Sequence, residues 1–91
     1  MAILLITYKL NSKPSHDYAP LYDAIKKNCE KWWHYLEDVW IVSTPSTADQ
    51  LAHKLYPFIL KTDRLLVAKL AGQHQGWLPE DAWKWLNERQ Y

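Results

Sequence analysis

The side chains that could hold a metal ion or attack a substrate are few and scattered: four histidines, one cysteine and ten carboxylates among 91 residues. The histidines are His16, His34, His53 and His74, and no two of them have the His-x-x-x-His spacing of a zinc site. Cys29 lies near the end of a predicted helix, where the helix dipole raises a thiol pKa rather than lowering it. We therefore predict no metal site, no resident cofactor and no cysteine chemistry.

Carboxylates are the ligands that a magnesium-dependent hydrolase would need, and they must converge on one place. The candidates are Asp17, Asp23, Glu37 and Asp38. A helix cap explains Asp17, and a tight turn explains Glu37 and Asp38. His34 has no neighbouring nucleophile, so we interpret it as a hydrogen-bonded, half-buried histidine rather than a general base. Mg²⁺ enters only under a nuclease alternative.

Length and composition set the frame in which these residues are placed. With 48% hydrophobic content, the 91 residues form one predicted domain over 1–91, and the net charge of +1 lacks the strong basic balance of a nucleic-acid-binding domain. The lone cysteine is compatible with a reducing compartment. The opening apolar run is too short to cross a membrane and lacks the features of a signal peptide. We expect a cytoplasmic protein without a membrane partner.

The hydrophobic periodicity predicts the element order strand, helix, strand, strand, helix, strand. The elements are a strand over 2–10, a helix after Asp17, a hairpin over 31–42, a helix opened by a capping box from Ser46 to Asp49 and kinked or ended early at Pro57, and a strand over 65–70. This order predicts an α+β fold, a ferredoxin-like βαββαβ sandwich with a four-stranded antiparallel sheet and both helices on one face. A loop and a third helix over 72–91 form a C-terminal appendage.

Three of the six tryptophans lie in the segment KWWHYLEDVW at 31–40, which predicts a β-hairpin that turns at its Glu-Asp pair. A two-residue turn would pair residues across the strands as follows: Leu36 with Val39, Tyr35 with Trp40, His34 with Ile41 and Trp33 with Val42. Alternate pairs point to opposite faces, so both faces of the hairpin are apolar. Helices cover one face, and the other requires a second subunit or the C-terminal helix.

The aromatic side chains of the hairpin and of the third helix are assigned to the core or to a dimer interface. They are Trp33, Tyr35, Trp40, Trp83 and Trp85. Stacking on nucleic-acid bases is the alternative, but sheet-based RNA readers combine their aromatics with arginine and lysine in motifs that this sequence lacks. Trp83 and Trp85 are two positions apart, which predicts that they point to different sides of a helix packed between two surfaces.

Four blocks of the sequence resemble, in the same order, the small bacterial proteins labelled SinR-like: ILLITYKLN at 3–11, DYAPLYDAIK at 17–26, WWHYLEDVWIV at 32–42 and GWLPEDAWKWL at 76–86. Those proteins are similar in fold to the CRISPR-associated adaptation protein Cas-two, and the resemblance covers nearly the whole chain. It implies a ferredoxin-like homodimer. In Cas-two-like relatives an acidic residue just past the first apolar run is a proposed metal ligand for nuclease activity. Lys9 stands at that place here, and its ammonium group cannot bind Mg²⁺.

Three functions from different classes follow. The first is a non-catalytic, homodimeric Cas-two-like module that binds nucleic acid or a protein partner, in antiviral defence against phage or in a toxin system. The second is a metal-dependent endonuclease with non-standard ligands. The third is a small nucleotide-binding protein in which Tyr8, Lys9, Asn11 and tryptophans of the open sheet hold the ligand, with Lys9 contacting a phosphate. His34 completes the candidate binding residues, and we expect the first function.

Overall fold

Four strands and three helices follow one another in the predicted order. The structure is a computed structural model that describes residues 1–11 and 17–91. The elements are β1 (Ala2–Lys9), α1 (Ala19–Lys27), β2 (Lys31–Leu36), β3 (Val39–Thr44), α2 (Ala48–Leu55) with a 3₁₀ turn after it (Tyr56–Phe58), β4 (Arg64–Lys69) and α3 (Glu80–Asn87). His16 lies outside the described residues, as does most of the turn that Asn11, Ser12, Lys13 and Pro14 predict after the first strand.

The sheet has the strand order β2, β3, β1, β4, and every neighbouring pair is antiparallel. This confirms the predicted ferredoxin-like α+β architecture with an extra C-terminal helix. The helices α1 and α2 cover one face, because each presents an apolar stripe at spacings of three and four residues. The core between them and the sheet contains, among its nearly fully buried side chains, Leu4, Ile6, Leu21, Ile25, Trp40, Val42, Leu51 and Leu55.

The helix ends agree with the sequence only in part. The N-cap of α1 is Tyr18 rather than the predicted Asp17, although the Asp17 carboxylate, one residue earlier, does accept a hydrogen bond from the backbone N–H of Ala19 at 2.9 Å. The capping box of α2 was predicted one residue too early. Thr47 is the cap, because its hydroxyl accepts from the Gln50 N–H at 3.1 Å while the Gln50 side chain accepts from the Thr47 N–H at 2.9 Å. Pro57 does end this helix early, in the 3₁₀ turn.

The predicted register of the hairpin is wrong beyond its turn. Leu36 does face Val39, but Trp33 faces Ile41 rather than Val42, because β2 carries one extra residue between Trp33 and Leu36. Such a bulge flips the side chains that follow it to the other face of the sheet. The bulge is stabilised because it places Trp33 on that other face. There the side chain is buried, with 2% exposure, and its indole N–H donates to the backbone carbonyl of Ala82 in α3 at 3.2 Å.

The second face of the sheet is covered by α3 over β2 and β3. Ala82 and Leu86 of α3 pack with Ile3, Trp33 and Ile41 in a second, smaller core. The predicted alternative that the C-terminal helix covers this face of the hairpin is therefore confirmed. Beyond Ile3, the part of the face that belongs to β1 and β4 is not covered by the helix, and Lys9, Arg64 and Leu66 are exposed there.

Candidate functional site

The accessible half of the second sheet face forms a continuous surface, which we call the open strip. Cross-strand pairing defines its rows, since Lys9 lies opposite Arg64, Thr7 opposite Leu66 and Leu5 opposite Ala68. All six share one face because side chains alternate along a strand. Leu66, on the edge strand β4, is 59% exposed. The open strip therefore has a cationic end and an apolar body.

The cationic end places two positive side chains directly opposite each other on neighbouring strands. The guanidinium of Arg64 is held by the backbone carbonyls of Asp63, at 2.9 Å, and Lys61, at 3.3 Å. Neither Lys9 nor Arg64 forms an ion pair with a carboxylate in the described part of the chain. Like charges facing each other across two strands are destabilising. A groove of about 290 Å³ runs past both cations, so the arrangement is suited to an anion.

An apolar cavity of about 320 Å³ lies beside the open strip, beneath the loop 71–79. Its lining includes Leu5, Ile41, Leu70, His74, Trp77 and Trp83. The Nδ1 atom of His74 is buried without a hydrogen-bond partner. Trp77, at the rim of the cavity, is 98% exposed. The volume and the mostly apolar lining are typical of a site for a small apolar group.

Tyr8 and His34 meet on the opposite face of the sheet, at the tip of the hairpin. The Trp40 indole N–H donates to the Tyr8 hydroxyl at 3.0 Å, and that hydroxyl donates to the Glu37 carbonyl at 3.3 Å. The His34 ring stacks on Trp40 with centroids 3.8 Å apart, and its Nε2 lies 2.9 Å from the same Glu37 carbonyl. Burial raises the pKa of Tyr8 to about 12. Tyr8 thus binds the turn of the hairpin to β1, whereas His34 makes its contacts within the hairpin.

Asn11 lies apart from Tyr8 and His34, in a polar contact between two turns. Its backbone N–H donates to the Asp63 carboxylate at 2.9 Å, and its side-chain amide donates to the Thr62 carbonyl. The same carboxylate, which is buried, accepts from the Tyr18 hydroxyl at 2.8 and 2.9 Å. Lys9 is thus the one predicted binding residue on the open strip, whereas Tyr8, Asn11 and His34 contact other parts of the chain.

The aromatic residues assigned to core or interface fall into three groups by burial. Trp33 and Trp40 are buried, on opposite faces of the sheet. Tyr35 is 46% exposed, with its ring 5.2 Å from that of Trp33. Trp83 and Trp85 are half-buried against the second core, the first beside His74 and the second under the guanidinium of Arg89, 4.4 Å from its ring centroid. They point to different neighbours, in agreement with their spacing.

Sequence reasoning missed Arg64, His74 and Trp77. Arg64 lies just before the strand predicted over 65–70, and His74 lies in the loop of the predicted C-terminal appendage. Their roles depend on the pairing of β1 with β4 and on the path of the loop over the sheet. The one local signal available was Trp77, which directly follows the polar segment from Gly72 to Gly76, since a loop rarely carries so large an apolar side chain without a contact for it.

Comparisons with known proteins identify no relative. No family model matches this chain, and neither a curated protein nor a solved structure does so. Within residues 1–11 and 17–91, no three His, Cys, Asp or Glu side chains are grouped so that they could hold a metal ion. In that same part of the chain, no helix has both the length and the apolar content needed to span a membrane. The SinR-like and Cas-two-like resemblance therefore stays a prediction.

Proposed function

We propose that this chain is a non-catalytic, homodimeric Cas-two-like module that binds nucleic acid in the cytoplasm, in antiviral defence or in a toxin system. The observation that carries the proposal is the open strip, in which Lys9 and Arg64 face each other beside an exposed apolar surface. Phosphates neutralise such cations, and apolar or aromatic surfaces receive unstacked bases. The same pair of features is less suited to a protein partner, whose interface core is depleted of lysine.

Homodimer formation is supported by exposed apolar residues on the two edge strands of the sheet, β2 and β4. Leu66 is 59% exposed, Leu36 47% and Tyr35 46%, and all three lie on strands rather than in loops. An apolar surface of this kind marks an interaction site. A second copy bound along β2 would remove Leu36 and Tyr35 from water and leave Leu66 and the cationic end of the open strip free for nucleic acid.

The test is binding of fluorescently labelled single-stranded RNA, single-stranded DNA and duplex DNA, followed by anisotropy at about 50 mM and about 200 mM salt. Lys9→Ala and Arg64→Ala should each weaken binding and flatten the salt dependence by about one phosphate contact. Lys69→Ala is the matched control, because Lys69 pairs with Leu4 and so lies on the other face of the same strand. Absence of binding at low salt, or equal losses in the control, would contradict the proposal.

A nucleotide ligand is the second candidate, and the groove of about 290 Å³ beside Lys9 and Arg64 favours it. Unlabelled mononucleotides added to the anisotropy experiment distinguish the two. Competition at micromolar concentration indicates a nucleotide site, and competition only by oligonucleotides indicates a nucleic-acid surface. Addition of Mg²⁺, followed by analysis of the length of the nucleic acid, tests whether the module is non-catalytic. Strand cleavage that Asp38→Asn abolishes would overturn this part of the proposal.

A further inference from the structure

The strand β4 forms one edge of the sheet, with β1 on one side and no strand on the other. The N–H of Leu70, just past the strand, donates to the carbonyl of Ile3 at the start of β1 at 2.9 Å. In an antiparallel ladder every second residue makes such bonds, so Leu65, Val67 and Lys69 direct their N–H and C=O groups away from β1. No other group in the described part of the chain forms a hydrogen bond with these outward backbone atoms.

The opposite edge of the sheet, β2, is less suited to further pairing. It carries the extra residue between Trp33 and Leu36, and such a bulge disturbs the ladder and protects an edge strand. The six residues of β4, by contrast, pair with β1 in one unbroken register. A regular edge with unpaired backbone groups is a template for another extended chain. Strand addition is therefore expected at β4 rather than at β2.

A cavity of about 420 Å³ lies beside β4 on the helical side of the sheet, next to the end of α2. Its lining includes the apolar side chains of Ala52, Ile59 and Leu65 and the ring of Tyr56. Leu65 belongs to the edge strand and points to the helical side, where it packs against the main core. Side chains of an added strand alternate between the two faces, so the one opposite Leu65 enters this cavity. Pockets of this kind give strand addition its sequence specificity.

The charges along this edge are positive at both ends. Arg64 begins β4, Lys69 ends it, and Lys61 is exposed in the turn before it. The one acidic residue within 61–69, Asp63, is 4% exposed. A second copy of the chain paired antiparallel about Val67 would bring Arg64 of one copy within one residue of Lys69 of the other at each end, and like charges so close repel. An acidic segment is attracted instead.

We propose that β4 binds an extended, acidic peptide segment of a protein partner, which joins the sheet as a fifth strand antiparallel to β4. The segment exchanges backbone hydrogen bonds with Leu65, Val67 and Lys69. Its acidic side chains lie opposite Arg64 and Lys69, and an apolar side chain between them fills the cavity. This surface goes beyond the proposed nucleic-acid site, because it uses the backbone edge and the helical side of β4. Arg64 is the one residue that both surfaces share.

The probe is a fluorescently labelled hexapeptide, Glu-Thr-Val-Val-Leu-Glu, whose binding to the full chain is followed by anisotropy. In the antiparallel register its first residue lies opposite Lys69, its leucine opposite Leu65 and its last residue opposite Arg64. The control Lys-Thr-Val-Val-Leu-Lys keeps the apolar residues and reverses the charges, and it should bind at least about 10-fold more weakly. Equal affinities of the two peptides, or no binding of the acidic one up to about 1 mM, would overturn the proposal.

Methylation of single backbone nitrogens of the peptide tests whether it binds as a strand. A methyl group on the third or the fifth residue, opposite Val67 and Leu65, removes an N–H that points at β4. Each should weaken binding at least about 10-fold. A methyl group on the fourth residue, opposite Leu66, removes an N–H that points to solvent and should change the affinity little. Equal effects at the third and fourth residues would exclude strand addition.

Val67→Pro and Lys69→Glu test the same contact from the side of the chain. Proline is tolerated in an edge strand where the lost N–H points to solvent, so Val67→Pro should keep its fold, as verified by circular dichroism, and should lose the peptide. Lys69→Glu changes an exposed side chain and should weaken the acidic peptide by about 5-fold. Undiminished peptide binding by Lys69→Glu, or by a folded Val67→Pro, would overturn the proposal.

The failure of this inference is distinguishable from the failure of the proposed function. Both variants retain Lys9 and Arg64 on the open strip, so they should bind nucleic acid as the wild type does. A wild-type chain that binds the acidic peptide but no nucleic acid overturns only the proposed function. Loss of nucleic-acid binding together with peptide binding in Lys69→Glu would show that β4 has no peptide site separate from the open strip and would overturn the inference.

Discussion

The indole N–H of Trp40 donates to the hydroxyl of Tyr8 across 3.0 Å, beneath the helical layer. Both side chains are buried, at 2% and 6% exposure, so this bond joins the hairpin to β1 inside the core. The Tyr8 hydroxyl in turn donates to the Glu37 carbonyl in the hairpin turn. The polar atoms of Tyr8 and Trp40 therefore form hydrogen bonds with each other and with the backbone of the chain itself.

Tyr8→Phe is expected to destabilise the fold. The substitution keeps the ring but leaves the Trp40 N–H buried without an acceptor, which costs about 1–3 kcal/mol in the free energy of unfolding. Urea unfolding followed by tryptophan fluorescence measures the loss. Tyr56→Phe removes a hydroxyl from an exposed tyrosine and is the control. Equal stability of Tyr8→Phe and the wild type would show that the bond contributes nothing.

Asp63→Asn is expected to destabilise the fold more strongly. The buried carboxylate accepts from the Asn11 N–H at 2.9 Å, from the Leu60 N–H at 2.8 Å and from the Tyr18 hydroxyl. An amide has one oxygen and cannot replace all these acceptors, and hydrogen bonds to a charged group contribute about 1.5–3 kcal/mol each. The midpoint of thermal unfolding is measured for Asp63→Asn and for the control Asp23→Asn, which changes an exposed residue of α1. A midpoint unchanged from the control would exclude a structural role for Asp63.

The stability of the fold is expected to fall in alkali through Cys29. Burial raises the pKa of this thiol from 9.0 to about 11. A folded state that holds its proton more tightly than the unfolded state keeps the full contribution below pH 9.0 and loses it as the pH rises towards 11. Urea unfolding of the wild type and of Cys29→Ala over this range isolates the thiol, because other groups titrate equally in both. A constant difference between the two would contradict the prediction.

The sequence predicted the layered fold because the positions of its apolar residues follow which side of each helix or strand is buried. The apolar run of β1 and the spacing of three and four in α1 and α2 both follow directly from which face is hidden from water. The bulge in β2 left no such record, since Trp33 is apolar and fits either face until α3 is in place to receive its N–H. Local patterns could not reveal that contact between distant segments.

The candidate site was harder to predict than the fold. Lys9 stood out through its place at the end of β1, but Arg64 becomes its neighbour only through the register of β4. Trp77 and His74 lie in a loop without periodicity, so their common cavity depends on the tertiary path of the chain. Tyr8 and Asn11, by contrast, were predicted to bind a ligand from their position near Lys9, yet the backbone and side chains of the chain itself occupy their polar atoms.

The variant Lys9→Glu tests whether Lys9 serves ligand binding or is merely tolerated by the fold. Glutamate opposite Arg64 replaces a repulsive cross-strand pair with an attractive one, so the variant should be more stable than the wild type by about 0.2–1 kcal/mol in urea unfolding. The same change removes a cation from the open strip and should abolish nucleic-acid binding in the anisotropy experiment. Lys69→Glu makes an equal change of charge on the other face of the sheet and should alter neither quantity to a comparable degree. A gain of stability together with a loss of binding means that the chain retains an unfavourable charge pair for the sake of its ligand, whereas undiminished binding by Lys9→Glu would remove Lys9 from the site.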